Sequence, residues 1–242
     1  MYILGIEAAT PVAGVAVVNE NKVLAESFVN NKRTHSINLL PMIKKIIIDA
    51  GIKPEDLDGI AVSSGPGSFT GLRIGITTAK TLAHVWDLPA VPVSTLDALA
   101  YPLIGYDGLV CPILNARKNE VYTAVYQGSN SNIKRLTDLM AVSLDELVRV
   151  LNQWQQKVLF LGDGVDIYRQ QITENLSERA VFAARSVALP RGVTVAELGL
   201  MELKEGKGMP PLEMKPEYIR LSEAEVKWAE RQKTSDQCGC GN

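Results

Sequence analysis

SSGPGSFTGLRIG, Ser63 to Gly75, is rich in glycine and links an apolar run to a helix-like segment, the setting in which many folds cradle a phosphate. Its spacing fits neither of the two common phosphate loops. A Walker loop carries Lys after its last glycine, and here Leu72 follows Gly71. A dinucleotide fingerprint needs GxGxxG, and Thr70 stands where the third glycine belongs. Two readings are left. In one, Ser68 or Thr70 caps the helix, and the N–H groups around Gly65, Gly67 and Gly71 favour an anion. In the other, the glycines form a tight turn that lets the helix pack close to the strand.

Upstream of this loop, ILGIEA, GVAVVNE and KVLAESFV are three strand-like runs separated by turn signals at Thr10–Pro11 and Asn19–Asn21. A helix over 34–50 follows, then the strand DLDGIAVSS, a second helix over 70–86 and the short strand PAVPVS. The same βββαβα order recurs more faintly after the glycine-bearing stretch Ile104–Gly108. LVCPILNAR and EVYTAVYQ read as a hairpin, with a weak third strand near IKRLT. A helix over 143–155 opens on Ser143, with Glu146 three residues on as a capping box. The strand KVLFLGDG and a last helix in VTVAELGLMEL complete the half. Two such halves predict an α/β chain of the duplicated actin-like (ASKHA, ribonuclease H-like) class. The expected lobes are 1–104 and 105–220, the last helix packing back on the first, with 221–242 a charged, flexible tail.

Composition narrows the function classes. Of 242 residues 46% are apolar and 21% charged, the balance of an ordinary globular protein, and the net charge of −2 gives no basic footprint for autonomous nucleic-acid binding. The opening YILGIEAA is shorter than a membrane span or a signal segment, and Cys111, Cys238 and Cys240 make no disulfide framework, so a cytoplasmic chain with reduced thiols is expected. His35 and His84 lack metal spacing, Cys238 and Cys240 are an incomplete ligand pair, and no GxSxG elbow carries a serine. Glu7, with Thr10 nearby, ends the first strand where an actin-like ATPase places an Asp for its nucleotide's metal; it reads either as a cation contact or as a structural carboxylate. No catalytic constellation and no metal set assembles.

Two helices offer more surface than one core needs. In the first, Leu39, Leu40, Ile43, Ile46, Ile47 and Ala50 form one broad apolar face, and Ile37, Pro41 and Ile48 form a second stripe. Pro41 is expected to kink this helix. In the second, Leu72, Ile76, Ala79 and Ala83 line up with Gly75 on the rim, and Gly71 and Gly75 permit a close helix–helix approach. One face suits the chain's own core and another asks for a partner, so the expected interface draws on Ile37, Leu39, Leu40, Ile43, Ile47, Leu72, Gly75, Ile76 and Ala79. Periodicity does not say which stripe faces inward.

Taken together, ILGIEAATPVAGVAVV, RTHSINLLPMI, VSSGPGSFTGLRIG with AKTLA, VSTLDALA, NARKNEVYTAVY and PEYIRLSEAE resemble the TsaB (YeaZ) family over the chain to about Glu225. GPGSFTGLR is the most specific of these blocks. The resemblance implies a non-catalytic scaffold that binds and activates a TsaD-type transferase. That enzyme places threonylcarbamoyl on N6 of the adenosine beside the anticodon, in tRNAs reading codons that begin with A. It further implies pairing of the two helices with the transferase, or with a second copy as a homodimer when alone. A TsaE-type ATPase is an implied further partner, with tRNA met only through the complex. No cofactor is implied for the isolated chain, and ATP or ADP is implied at the complex interface. TsaD carries a metal-binding HxxxH where this chain has Thr95 and Leu99, and two positions depart from the TsaB pattern: Glu7–Ala8 for Asp–Thr, and Asn115 for Asp. On this view Glu7, Thr10 and the glycine loop are remnants of a nucleotide site. The competing expectation is an actin-like ATPase or small-molecule kinase using GPGSFTG and LGDG, with magnesium-dependent ATP turnover by the isolated chain.

Overall fold

A computed structural model describes residues 1–31, 35–130 and 132–220. The helix start expected at Thr34, the tail 221–242 and Cys238 and Cys240 lie outside the described residues. The first half runs β1 (Tyr2–Glu7), β2 (Val12–Asn19), β3 (Val23–Asn30), α1 (His35–Asp49), β4 (Gly59–Gly65), α2 (Phe69–Val85), β5 (Ala90–Ser94) and α3 (Thr95–Ala100). The second runs β6 (Leu109–Asn115), β7 (Glu120–Thr123), β8 (Tyr126–Gly128), β9 (Ile133–Arg135) and β10 (Met140–Ser143). It continues through α4 (Leu144–Leu151), β11 (Val158–Leu161), α5 (Gly164–Leu176), β12 (Ala180–Phe182) and α6 (Gly192–Lys204).

The sheet order is β3-β2-β1-β4-β5 in the first half and β10-β7-β6-β11-β12 in the second. In each, the hairpin strands pair antiparallel and the last two strands parallel, so the halves repeat one topology and form a duplicated actin-like fold. Two details differ from the expectation. The third strand of the second sheet is β10, pairing with β7, whereas IKRLT contributes only β9, which pairs with β8. Helix α5 is absent from the sequence reading because its buried residues, Val165, Ile172 and Leu176, are spread thinly through a polar segment.

β1 and β2 are apolar almost without alternation because both faces of the first sheet are covered. Leu4 and Ile6 face α1 and α2 through Leu39, Ile43, Ile46, Ile76 and Ala79. Ile3, Ala61 and Val93 face α6 through Val195, Ala196 and Leu200. Helix α6 therefore belongs in space to the first sheet, although it follows the second in the chain. Conversely, Leu96, Leu99 and Ala100 of α3 pack with Val110, Leu114, Tyr126 and Leu161 of the second sheet. Tyr126 also donates its hydroxyl to Asp97 Oδ1 at 2.7 Å. A segment after α6 returns along α2, where the Lys80 ammonium donates to the Leu212 and Met214 carbonyls and the Glu217 N–H to the Ser64 carbonyl at 2.7 Å. Its Tyr218 ring stacks on Phe69, 4.1 Å between centroids, and Arg220 reaches back to Glu120 of the second half. Among the described residues no helix is long and apolar enough to cross a membrane.

Helix α6 comes this close to β1 because Gly5 has no side chain: a Cβ there would lie 2.5 Å from the Ala196 nitrogen and 2.6 Å from its Cβ. Gly5→Val is expected to lower stability by about 2–3 kcal/mol through overpacking, despite valine's preference for strands. Urea unfolding measures this, and an unchanged midpoint would mean that α6 does not rest on β1.

Candidate functional site

The two halves enclose an open cleft of about 780 Å³. Its first wall is the turn after β1, residues Ala9 to Pro11, together with the loop Gly67 to Thr70 at the start of α2 and the ring of His35 at the start of α1. Its second wall is the turn between β6 and β7, residues Leu114 to Lys118, with Tyr122 and Asp163 beside it and Arg220 across the mouth. The volume falls in the range of small-molecule sites.

On the first wall the glycines serve the backbone of the neighbouring turn. A Cβ on Gly67 would overlap the Ala9 carbonyl oxygen and one on Gly71 the Ala8 carbonyl oxygen, while the Ser68 N–H donates to the Ala9 carbonyl at 2.6 Å. Gly75 likewise packs against the Ala8 methyl, so the Gly71–Gly75 notch receives the turn after β1, where a close approach of helices was expected. Ser68 is the helix cap, its Oγ accepting from the Gly71 N–H at 3.3 Å. The N–H of Ala8 donates to Ser63 Oγ, that of Ala9 to Glu7 Oε1 at 2.8 Å, and that of Val12 to Thr10 Oγ1. These donors, which a phosphate cradle would need free, are consumed inside the protein.

The second wall is closed in the same way. The Asn115 N–H donates to Asp163 Oδ1 and the Arg117 N–H to Asn115 Oδ1, both at 3.0 Å. Burial raises the Asp163 carboxyl above its ordinary value, and the N–H from Asn115 partly offsets this. The ring of His35 contacts the Thr10 carbonyl through Nε2 at 2.8 Å, tying α1 to the turn after β1.

Of the residues expected in a vestigial anion loop, Thr10, Gly67, Ser68 and Thr70 line the cleft, whereas Glu7, Gly65 and Gly71 do not. Gly65, at φ +130°, accommodates the Glu217 backbone. Glu7 is fully buried and falls, by strand alternation from Ile3 and Gly5, on the face that α6 covers. Opposite it in the β1–β2 register stands Gly14, which leaves room for the carboxyl. Glu7 Oε2 has no hydrogen-bond partner, and burial pushes the carboxyl up to about 7 against the N–H donors that lower it. Of the two readings of Glu7, its burial on the face that α6 covers and its place outside the cleft lining fit the structural carboxylate. Sequence reasoning passed over His35 as a ligand-lining group, and Arg73, Arg117, Lys118 and Arg220 altogether; NARKN, a polar break between two strand runs, was the available signal.

The expected interface also divides. Leu39, Ile43, Ile47, Leu72, Ile76 and Ala79 are buried in the chain's own core, and Gly75 is buried against Ala8. Assigning them to a partner is corrected, because α1 and α2 turn those faces onto β1 and β2. Ile37 and Leu40 stay outside at 65% and 55% exposure, and Ile48 at 67%. Pro41 lies on the same outer stripe, within a helix that runs on to Asp49.

Fold and cleft together define an actin-like protein in which several N–H groups of the cleft-side loops donate to acceptors within the protein. The family model "TsaD: tRNA N6-adenosine threonylcarbamoyltransferase" matches residues 22–228. The chain is 36% identical over 96% of its length to the whole of "tRNA threonylcarbamoyladenosine biosynthesis protein TsaB" of Bacillus subtilis. To the Haemophilus influenzae protein of the same name it is 30% identical, over 94% of this chain and 96% of that one. A solved Pseudomonas aeruginosa structure, an uncharacterized protein with similarity to peptidase YeaZ, superposes with a TM-score of 0.77 at 26% identity, covering 90% of this chain and 99% of that one. The chain belongs to the TsaB (YeaZ) family.

Because Glu7 has a higher pKa folded than unfolded, its protonated form favours the fold. The stability this contributes is complete below pH 4.5 and is lost as pH rises through about 7, a change of about 3 kcal/mol. Glu7→Gln, which cannot ionise, is expected to remove that fall. Urea midpoints of the two proteins at pH 5 and pH 8 measure it, and parallel profiles would mean that Glu7 is ionised in the folded state.

Proposed function

We propose that this chain serves tRNA threonylcarbamoyladenosine biosynthesis as a non-catalytic subunit that binds and activates a TsaD-type transferase through the outer stripe of α1. The observation that carries the reading is the row Ile37, Leu40, Pro41 and Ile48, exposed on a helix whose opposite face already fills the core. A helix apolar on both sides is a poor solvent-facing element and a good docking one. The names of the relatives supply the pathway, and the match to a TsaD model supports a partner built on the same fold. The non-catalytic part of the reading is supported by the cleft. Several of the N–H groups beside it are engaged within the protein, and Thr95 and Leu99, which the resemblance sets against the transferase histidines, are both buried in α3. Neither side chain supplies an imidazole for a metal.

Size-exclusion co-elution with the TsaD-type protein of the same organism tests the assignment. The two wild-type proteins are expected in one new peak. Leu40→Asp combined with Ile48→Asp is expected to weaken that association by about a hundredfold or more, since a carboxylate would be buried unpaired, while leaving the melting temperature unchanged. Ile43→Asp, in contrast, is expected to unfold the chain. Co-elution of the double variant at wild-type affinity would remove α1 from the interface. Loss of self-association alone would assign the stripe to a second copy of this chain.

A further inference from the structure

We propose that the hairpin formed by β8 and β9 is a hinge lock: it grips the linker between the two halves and fixes the angle at which they face each other across the cleft. The duplication itself singles the hairpin out. The first sheet runs β3-β2-β1-β4-β5, and the second repeats that path with β8 and β9 added beside it. Among the described residues the hairpin has no counterpart in the first half. β8 pairs antiparallel with the first residues of β6, Gln127 opposite Leu109 and Tyr126 opposite Val110. β7 takes the far end of the same strand, Ile113 to Asn115. The addition therefore lies where the chain enters the second sheet.

That entry is a crossing between the halves. Residues 101–108 lead from α3 to β6, and Pro102, Ile104, Gly105 and Asp107 are exposed along them. Gly105 lies at φ +91°, with open space where a Cβ would stand. Such a residue absorbs changes of backbone angle, as a hinge requires. The Ile104 and Tyr106 N–H groups bond back locally, to the Tyr101 and Leu103 carbonyls at 3.2 and 3.0 Å. The hairpin adds bonds from outside. The Gly105 N–H donates to the Ser129 carbonyl in the hairpin turn at 2.8 Å, and the Gly128 N–H to the Gly108 carbonyl at 3.3 Å. Gln127 Nε2 donates to that same Gly108 carbonyl at 3.2 Å. A Cβ on Gly128 would lie 2.3 Å from the Tyr106 carbonyl oxygen, so the hairpin and linker backbones touch directly.

The hairpin also holds the helix on the near side of the linker. Tyr126 donates its hydroxyl to Asp97 Oδ1 at 2.7 Å, and Arg135 Nη1 of β9 lies 3.6 Å from the same oxygen. The next residue of that helix, Ala98, packs with Val91, Val93 and Val195 on the first sheet's side. Leu103 and Tyr106 of the linker and Ile133 of β9 pack on the cluster that joins Tyr126 to Leu96 and Leu99. One hairpin thus bonds to the element before the hinge, to the hinge and to the strand after it. A hinge turns only when the contacts that span it give way, and here a buried tyrosine, backbone pairing and apolar packing would have to yield together. A body preset in one arrangement loses less freedom when a partner docks on it, which gives the lock a use whichever partner that is.

Hydrogen exchange of the full chain, read amide by amide, tests it. Tyr126→Phe with Gln127→Ala removes the side-chain bonds to Asp97 and Gly108 and keeps the buried ring. In this double variant the Gly105 amide is expected to exchange about tenfold faster or more. The Glu217 amide, bonded to the Ser64 carbonyl three residues before Arg220 meets Glu120, is expected to speed up with it, because a turn of the halves pulls on that segment. Amides of β1 and β11 are expected to keep their wild-type rates. Asp97→Asn, which keeps an acceptor for Tyr126 but loses the charge facing Arg135, is expected to speed the same two amides about threefold. The proposal fails if Gly105 keeps its rate, or if Gly105 speeds up without Glu217, which would make the hairpin a local brace on the linker. It fails also if β1 and β11 speed up with them in both variants, which would make the hairpin part of the folding core.

Discussion

The rest of the structure depends on one close backbone approach, in which the carbonyls of Ala8 and Ala9 lie against Gly67 and Gly71. No residue with a Cβ fits at either glycine without moving main chain, so the contact ties the end of β1 to the start of α2. His35 joins it from α1, its ring touching the Thr10 carbonyl and packing over Gly71. Three elements therefore meet at one point: the central strand, the loop that shapes the cleft, and the helix that carries the exposed apolar stripe.

The same economy of space holds the halves together. Helix α6 crosses to the first sheet through Gly5, Gly192 and Gly199, while α3 leans on the second sheet through Leu96 and Leu99. Exchanging terminal helices in this way interlocks the two halves on either side of the cleft. Glu7 lies within this packing as a buried carboxyl with one unsatisfied oxygen, a local cost that burial of the surrounding apolar strands outweighs.

These contacts reconcile a loop that looks made for phosphate with a chain whose family role we read as scaffolding. The glycines keep the shape of a phosphate loop because that shape also seats the turn after β1. Two of its donors are spent within the protein, the Ser68 N–H on the Ala9 carbonyl and the Gly71 N–H on Ser68 Oγ, while the turn it seats spends its own on Ser63, Glu7 and Thr10. The exposed apolar stripe proposed to meet a partner lies elsewhere, on the face of α1 turned away from the sheet.

The repeated βββαβα order, the strands of the first half and the Ser143 capping box were legible in the sequence, because local pattern sets them: apolar runs, turn residues and a cap with its partner three residues on. The repeat was fainter after Gly108, where short strands and the sparse apolar stripe of α5 carry too little periodicity, and β10 took the place expected for IKRLT. That α1 has two apolar stripes was also plain from spacing. Only the tertiary structure decided that Ile43 and Ile47 face the core while Ile37, Leu40 and Ile48 face out, since periodicity fixes the angle between stripes but not which one meets a sheet. Likewise the cleft joins residues as distant as Thr10, Lys118 and Arg220, and the fate of each loop N–H depends on acceptors that sequence spacing cannot bring together.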